Sequence, residues 1–398
     1  VGQIVSKDQM TAGRGWTLWE WPFFDDSHKA LADRVVAWNG RAQASHGHDT
    51  LPDECRSIVR DLGAAGLLDY VVPQPGAGFD LRAICLIREA LTYQHALADA
   101  MFAMQGIGTM AIQQSGTEAQ KARYLEPCRK GQKIAAFALT EPEAGSDVAS
   151  MTTTATKDGD SFILNGDKTL ISNAGFADHY VLVARTGEAP GSRGLSAFIV
   201  DAGTPGLSVG PPIDFIAPHP AAPLTFTECR ISADALIGTP GQGFKVAMAA
   251  FDVFRPSVGA AAVGLARRAM EETLKRVTTR HLYGKPMSEL QTVQMTLADM
   301  ATDIDTAALA VYRAAWSRDV LGRRGSYAAS MAKLAGAEAA GRVVDRAVQL
   351  CGGMGVTQGN LIEQLYREAR PMRIYEGASE VQKLIIGRAL LAEFAPKP

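Results

Sequence analysis

Apolar positions along the chain fall into three successive textures. From about residue 25 to 133 they return at the helical period. In LRAICLIREALTYQHA the residues Ile84, Ile87 and Leu91 form one stripe, with Arg82, Arg88 and Glu89 off it. From Ile134 to about Ile237 the pattern shortens to that of strands. IAAFALT, FILNG, YVLVA, LSAFIV and LTFTECRI are short, β-branched or aromatic, and bounded by Gly, Pro or Asp. Asp158-Gly159 and Asn165-Gly166 carry the signature of two-residue hairpin turns. No helical pattern interrupts this block, which predicts an antiparallel sandwich or barrel. From Gly243 the helical period returns over roughly 243–282, 289–321, 326–351 and 377–394. Glu271 with Lys275, and Glu272 with Arg276, sit four apart on an exposed face. Four long helices with short links predict an antiparallel bundle.

The expected fold class is therefore multi-domain α+β. An N-terminal α-helical domain covers 1–133, a middle antiparallel β-barrel or sandwich covers 134–237, and a C-terminal four-helix bundle covers 238–398. Trp16, Trp19, Trp21, Phe23 and Phe24 crowd the first 24 residues and predict an arm packed on the body or on a neighbour.

Composition narrows the partners without naming one. The chain has 398 residues, enough for two or three domains. Its 40 Lys+Arg against 42 Asp+Glu leave a formal charge of −2. A nucleic-acid or anionic-membrane binder needs a basic surplus that is absent here. The longest apolar run, Val258 to Ala266, falls short of a membrane span. Cys55, Cys85, Cys128, Cys229 and Cys351 are scattered, without a C-x-x-C pair, which favours a reducing cytoplasm. The start, VGQIVSKDQM, lacks the basic-then-apolar layout of a secretory signal. His46 and His48 form H-x-H with no third ligand apparent, so a surface loop is expected and no metal site.

Four segments can carry chemistry. In AFALTEPEAGSD a strand ends at Thr140, and Pro142, Gly145 and Ser146 build a tight polar loop. Such a loop either turns N–H groups and hydroxyls toward a ligand or caps its own backbone. In RIYEGASEVQKLIIGR, Glu376 precedes Gly377 and a helix-forming stretch. It is either a first-turn carboxylate favouring the helix dipole or a general base raised in pKa by an apolar pocket. VQLCGGMGV runs a helix into Gly352, Gly353 and Gly355, a left-handed cap or a close approach to a pyrophosphate. It is not the G-x-G-x-x-G of a Rossmann site. TTRHLYGKPMSELQ combines Arg280, Tyr283 and Gln291 in a turn between helices or a phosphate-contacting elbow.

Together and in this order, the four segments resemble the acyl-CoA dehydrogenase family over about residues 25 to 394. L-T-E-P-x-A-G-S-D followed about 235 residues later by Y-E-G-x-S-E is the specific part. The resemblance implies FAD held between the middle domain and the bundle, and oxidation of an acyl-CoA thioester. It places Leu139, Thr140, Ile171 and Ser172 beside the flavin, the last two within KTLISN. Ser146 falls near the pantetheine or phosphate side of the substrate. Arg280, Tyr283 and Gln291, with Gln349, Gly352 and Gly353, resemble a grip on the adenosine diphosphate end of FAD in a neighbouring subunit, and Glu380 again touches the cofactor. Arg255 supports the catalytic loop and substrate region, where Phe254, Tyr375 and Gly377 also fall.

The resemblance makes Glu376 the base for the α-proton. Its own N–H and a flavin ribityl hydroxyl stabilise the enolate-like oxygen, and flavin N5 takes the β-hydride. Some relatives carry the base beside the supporting Arg; here that position is Phe254, which cannot abstract a proton. The family is typically a homotetramer that passes electrons to an electron-transferring flavoprotein. Leu170 stands where a Trp is usual, and Ala378 where Thr is common. The first departure bears on electron delivery and keeps an acyl-CoA oxidase open. A catalytically inactive scaffold of the same fold is the other alternative, against which Glu376, Arg280, Gln349 and Gly353 all stand. Met101, Phe102 and Met104, with Phe251 and Phe254, favour a short or branched acyl group.

Overall fold

The computed structural model describes residues 20–38, 51–323 and 325–394. Trp16, Trp19, His46 and His48 lie outside the described residues. In chain order the helices are α1 (Asp26–Ala37), α2 (Leu51–Ala64), α3 (Leu81–Gln94), α4 (Ala96–Ser115) and α5 (Glu118–Arg129). After the strands come α6 (Gly243–Thr279), α7 (Gln291–Asp319), α8 (Ser326–Cys351), α9 (Leu361–Ala369) and α10 (Ser379–Phe394). The strands are β1 (Ala135–Ala138), β2 (Thr154–Asp158), β3 (Ser161–Ser172), β4 (His179–Arg185), β5 (Leu195–Asp201), β6 (Leu207–Val209), β7 (Ala221–Ser232) and β8 (Leu236–Ile237). A short ladder of β9 (His281–Leu282) and β10 (Lys285–Pro286) follows α6.

Two compact units form. One is built from segments of Val1–Arg41, Asp80–Asp99 and Asp252–Pro398, the other from segments of Ala42–Phe79 and Ala100–Phe251. By compactness the amino-terminal helices divide, α1 and α3 joining the carboxy-terminal helices while α2 and α5 join the sheet.

Polar signals start several helices. Asp25 caps α1 and exchanges bonds with His28 as a capping box, and Thr117 does the same with Gln120 at α5. Asp80 caps α3 by accepting from the Ala83 amide. At the far end of α8, Gly352 ends the helix with a positive φ of 61° and ψ −140°, which glycine reaches readily but which is not the left-handed helical cap expected there.

In the sheet unit the strand order is β6-β7-β3-β2-β4-β5-β8, with β1 added on β4. Pairing is mostly antiparallel, as the strand texture predicts; β1 and β2 meet β4 in parallel. The Asp158-Gly159 signal marks a real hairpin, since Asp158 pairs with Ser161 across it. Asn165-Gly166 does not turn the chain. Gly166 lies inside β3, at φ 141° beside a register shift against β7, and a Cβ there would sit 2.7 Å from the Thr153 Cα. The glycine serves a bulge and a close approach, not a hairpin. Gln105 of α4 ties helix to sheet, donating to the Cys128 and Lys133 carbonyls while accepting from the Ala135 amide.

In the helical unit, α3 departs from the amphipathic expectation. Arg88 and Glu89, off the apolar stripe, are only 2% and 3% exposed. Both survive burial through partners. Arg88 binds Asp99 at 2.7 and 2.8 Å, and Glu89 takes Arg267 at 2.8 Å and the Tyr312 hydroxyl at 2.6 Å. Gly264 lets α6 come against α3, for a Cβ there would lie 2.1 Å from the Glu89 carbonyl oxygen. Trp21, Phe23 and Phe24, the described part of the aromatic arm, pack edge-on or tilted against Tyr312 and Trp316 of α7.

The four long helices stand close to their expected bounds. The fifth, α9, went unpredicted because nine residues give too short a periodic signal. One 18-residue window of α6 reaches a mean hydropathy of 1.4, so by length and composition this helix passes the test for a membrane span that the sequence reading had excluded. Of that window 78% is buried within the protein, as in the core helix of a globular domain.

Candidate active site

Glu376 does not lie in a helix. Helix α10 begins at Ser379, so its first-turn carboxylate is Glu380, and the helix-dipole reading of Glu376 is displaced. Glu376 and Gly377 instead form a left-handed pair, at φ 52° and 93°. A non-glycine residue held there costs about 1–3 kcal/mol and needs surroundings that enforce it. Two side chains do so. Lys333 of α8 and Gln382 of α10 both donate to the Gly377 carbonyl, at 2.8 and 2.9 Å. Neither residue carried a sequence signal, because each looks like an ordinary member of a helical pattern.

One carboxylate oxygen of Glu376, Oε2, is buried without a hydrogen-bond partner among the described residues. Burial pushes Glu376 above the usual carboxylate range. Arg88, Lys333 and Arg255 pull the other way, while Asp99 adds to the rise. Two of those cations are already engaged: Arg88 with Asp99, and Arg255 with Asp252 at 3.1 Å. Arg88 also donates to the Ser257 hydroxyl at 3.0 Å, which donates in turn to the Phe254 carbonyl. Phe254 itself is fully buried, and Tyr375 is 38% exposed. An under-hydrogen-bonded carboxylate with a raised pKa, ringed by cations, is equipped to take a proton and hold it.

The elbow and the glycine-rich end come together in the same unit. Val277, Met287 and Val293 form a buried cluster against which Leu282, Leu290 and Leu350 pack, bringing 280–291 beside the end of α8. Arg280, Tyr283, Gln291, Gln349, Gly352 and Gly353 are all exposed there. Tyr283 is 93% exposed at φ 52°, the tip of the β9–β10 turn, where a helix-to-helix turn was the plain expectation. Among the described residues, nothing lies within 4 Å of the positions a Cβ would take on Gly352 and Gly353. Glu380 is exposed on the first turn of α10.

In the sheet unit, the loop after β1 closes as a tight turn, Glu141 and Ala144 exchanging backbone bonds at 3.1 and 3.2 Å. Its organising residue is one that sequence reading passed over. Glu141 accepts from the Thr152 and Thr153 amides at 2.6 and 2.9 Å and from Lys168 at 2.8 Å. Lys168 is fully buried and also donates to the Leu139 carbonyl at 3.0 Å. The Thr169 amide donates to the Thr140 carbonyl. These bonds set 139–141 against 168–172, so Leu139, Thr140, Ile171 and Ser172 share one locality. Ser146 is exposed beyond the turn. Ser172 shares a 2.7 Å hydrogen bond with His219, whose pKa burial lowers to about 4. Leu170 is 50% exposed at φ 57°.

FAD asks for a cation and approachable backbone at its diphosphate, and for a wall at its flat ring. In the helical unit, taken by itself, the exposed Arg280 and the open glycines offer the first; in the sheet unit, taken by itself, the braced strand-loop of 139–141 and 168–172 offers the second. The residues present fit the group.

Models of the acyl-CoA dehydrogenase N-terminal, middle and C-terminal domains match residues 24–132, 136–229 and 241–391. Human short-chain specific acyl-CoA dehydrogenase, a mitochondrial protein, is 38% identical over 341 residues, covering 84% of this chain and 82% of that one. Butyryl-CoA dehydrogenase from Megasphaera elsdenii superposes with a TM-score of 0.85 at 31% identity, over 92% of this chain and 98% of the other. A glutaryl-CoA dehydrogenase from Mycobacterium smegmatis in complex with FADH2 gives 0.85 at 25% identity, over 94% and 97%. The chain belongs to the acyl-CoA dehydrogenase family, and is an FAD-dependent oxidoreductase that dehydrogenates acyl-CoA.

Proposed function

We propose that this enzyme converts a short or branched acyl-CoA to the trans-2-enoyl-CoA, with Glu376 abstracting the α-proton. The observation that carries the reading is the buried Oε2 of Glu376, without a partner among the described residues, in a clamped left-handed turn. A proton next to a thioester is weakly acidic, and a carboxylate of raised pKa is better matched to it than an ordinary one. Bound FAD would supply the acceptor for the β-hydride. Leu139, Thr140, Ile171 and Ser172 wall the ring, and Glu380 adds a contact to the cofactor. Arg280, Tyr283, Gln291, Gln349, Gly352 and Gly353 hold the diphosphate end of the FAD of a neighbouring subunit. Ser146, Phe254, Arg255, Tyr375 and Gly377 serve the substrate. The short-chain reading draws support from the human and M. elsdenii relatives and from the fully buried Met101 and Phe102.

The setting we propose is a cytoplasmic homotetramer in fatty acid metabolism that delivers electrons to an electron-transferring flavoprotein. Exposed apolar side chains on α10, Leu384, Leu391 and Phe394, suit burial against another copy. A second reading, direct oxidation by oxygen, is favoured by Leu170, small and half-exposed where the family usually carries Trp.

An anaerobic panel of acyl-CoA thioesters tests the function. The right substrate bleaches the flavin, and Glu376→Gln abolishes bleaching while FAD stays bound. Turnover retained in that variant refutes the base assignment, and rapid peroxide formation under air selects the oxidase reading.

A further inference from the structure

One carbonyl beneath the catalytic turn receives two donors, and only one of them is charged. Gln382 and Lys333 are each 0% exposed, and both donate to Gly377. A neutral amide suffices to satisfy a carbonyl, whereas a buried ammonium costs several kcal/mol unless an anion compensates it. Lys333 makes no ion pair among the described residues. The carboxylates bearing on it are Glu376, Glu338 and Glu380, with Arg255 opposing them. Glu338 is taken by the Ser379 hydroxyl and by Arg373, and Glu380 is exposed. Glu376 is what remains. The groups facing Glu376 are Arg88 of α3, Asp99 of α4, Arg255 of α6 and Lys333 of α8. Arg88 and Arg255 each hold a carboxylate of their own, so much of their charge is answered.

We propose that Lys333 is the positioning residue for Glu376, fixing the turn through the Gly377 carbonyl and supplying the positive charge that keeps the buried carboxylate available in its ionised form. The proposal rests on Glu376 being the base. Burial lowers Lys333 to about 8 against the pull of Glu376, so the cation is present at neutral pH and weakens above it.

The test compares Lys333→Met and Gln382→Met holoenzymes with wild type, using the best substrate of the thioester panel. Two readouts are followed: the acid limb of kcat/KM, and the infrared titration of the protonated carboxyl band that Glu376→Gln removes. Lys333→Met is expected to move both midpoints upward by about one pH unit, a roughly tenfold loss of kcat/KM on the acid side. Gln382→Met removes a bond to the same carbonyl without removing charge, and its midpoints stay within a few tenths of wild type. Midpoints unchanged in Lys333→Met, or moved equally in Gln382→Met, overturn the proposal. If Lys333→Met does not retain FAD, Lys333→Gln replaces it with the same two expectations. Loss of the carboxyl band and of activity in Glu376→Gln, beside unmoved midpoints in Lys333→Met, defeats the Lys333 role alone. Turnover surviving Glu376→Gln defeats the base assignment itself.

Discussion

Arg88 grips Asp99 through two parallel hydrogen bonds, Nε to Oδ1 at 2.7 Å and Nη2 to Oδ2 at 2.8 Å, with both residues buried. The pair joins α3 to the first turn of α4 and places opposite charges in the surroundings of Glu376. A bidentate fork of this kind adds orientation as well as energy. Removing one half is far costlier than removing both, because the survivor is left charged and unpaired.

Arg88→Met is therefore expected to destabilise the protein by about 3–5 kcal/mol, read by urea unfolding of the holoenzyme. The double variant Arg88→Met with Asp99→Leu recovers part of that loss. A double variant no more stable than the single one contradicts the account.

Glu376 predicts a pH slope in stability with a definite sign. Its native pKa is raised by burial, so the folded state holds this proton over a range where the unfolded state has released it. Its contribution is complete below the ordinary carboxylate pKa and is lost as pH rises through the native value. Glu376→Gln removes the slope, and the variant gains on wild type as pH increases across that window. Thermal melts at stepped pH values check it; a variant that loses ground to wild type as pH rises across the window refutes it.

Glu141 has the opposite sign. Burial raises it, but hydrogen bonds from Lys168, Thr152 and Thr153 prevail and hold it down at about 2. Its stabilisation is present above the ordinary carboxylate value and is lost as pH falls toward 2. Glu141→Gln flattens acid unfolding in that range and costs about 3–5 kcal/mol at neutral pH, since Lys168 is left buried without its anion. FAD affinity falls with it, because the same bonds align 139–141 with 168–172. Affinity at the wild-type level in a folded Glu141→Gln refutes that link.

Gly264→Ala tests the approach of α6 to α3. A methyl group would meet the Glu89 carbonyl at 2.1 Å, against backbone that cannot rotate aside. The expected cost is about 1–3 kcal/mol in chemical unfolding, even though Ala is the better helix former. A neutral or stabilising result shows that the helices can separate.

The readable parts of the fold were those with a repeating signal. Strands β3 and β7 were legible as short β-branched or aromatic runs and α6, α7 and α8 from the helical period, whereas α9 was too short to stand out. Asn165-Gly166 misled because the same dipeptide that makes a tight turn also makes a bulge, and pairing with β7 decided between them. Glu376 was legible as Y-E-G-x-S-E, with its exposed cofactor candidates Arg280 and Gly353. The residues that set its environment were not. Arg88, Asp99, Lys333 and Gln382 come from four helices, and nothing in their local sequence distinguishes them from solvent-facing polar positions.

By itself, the amino-acid sequence determined the order of helical, strand and helical segments, the family, and the identity of the candidate base, since each is written in local periodicity or in a contiguous motif. Tertiary structure alone decided that Arg88 and Glu89 are buried, that Glu376 sits in a left-handed turn, and that Lys333 holds it. Burial and pairing are properties of residues distant in the chain, and only the packing of α3, α6, α8 and α10 brings those residues within hydrogen-bond range.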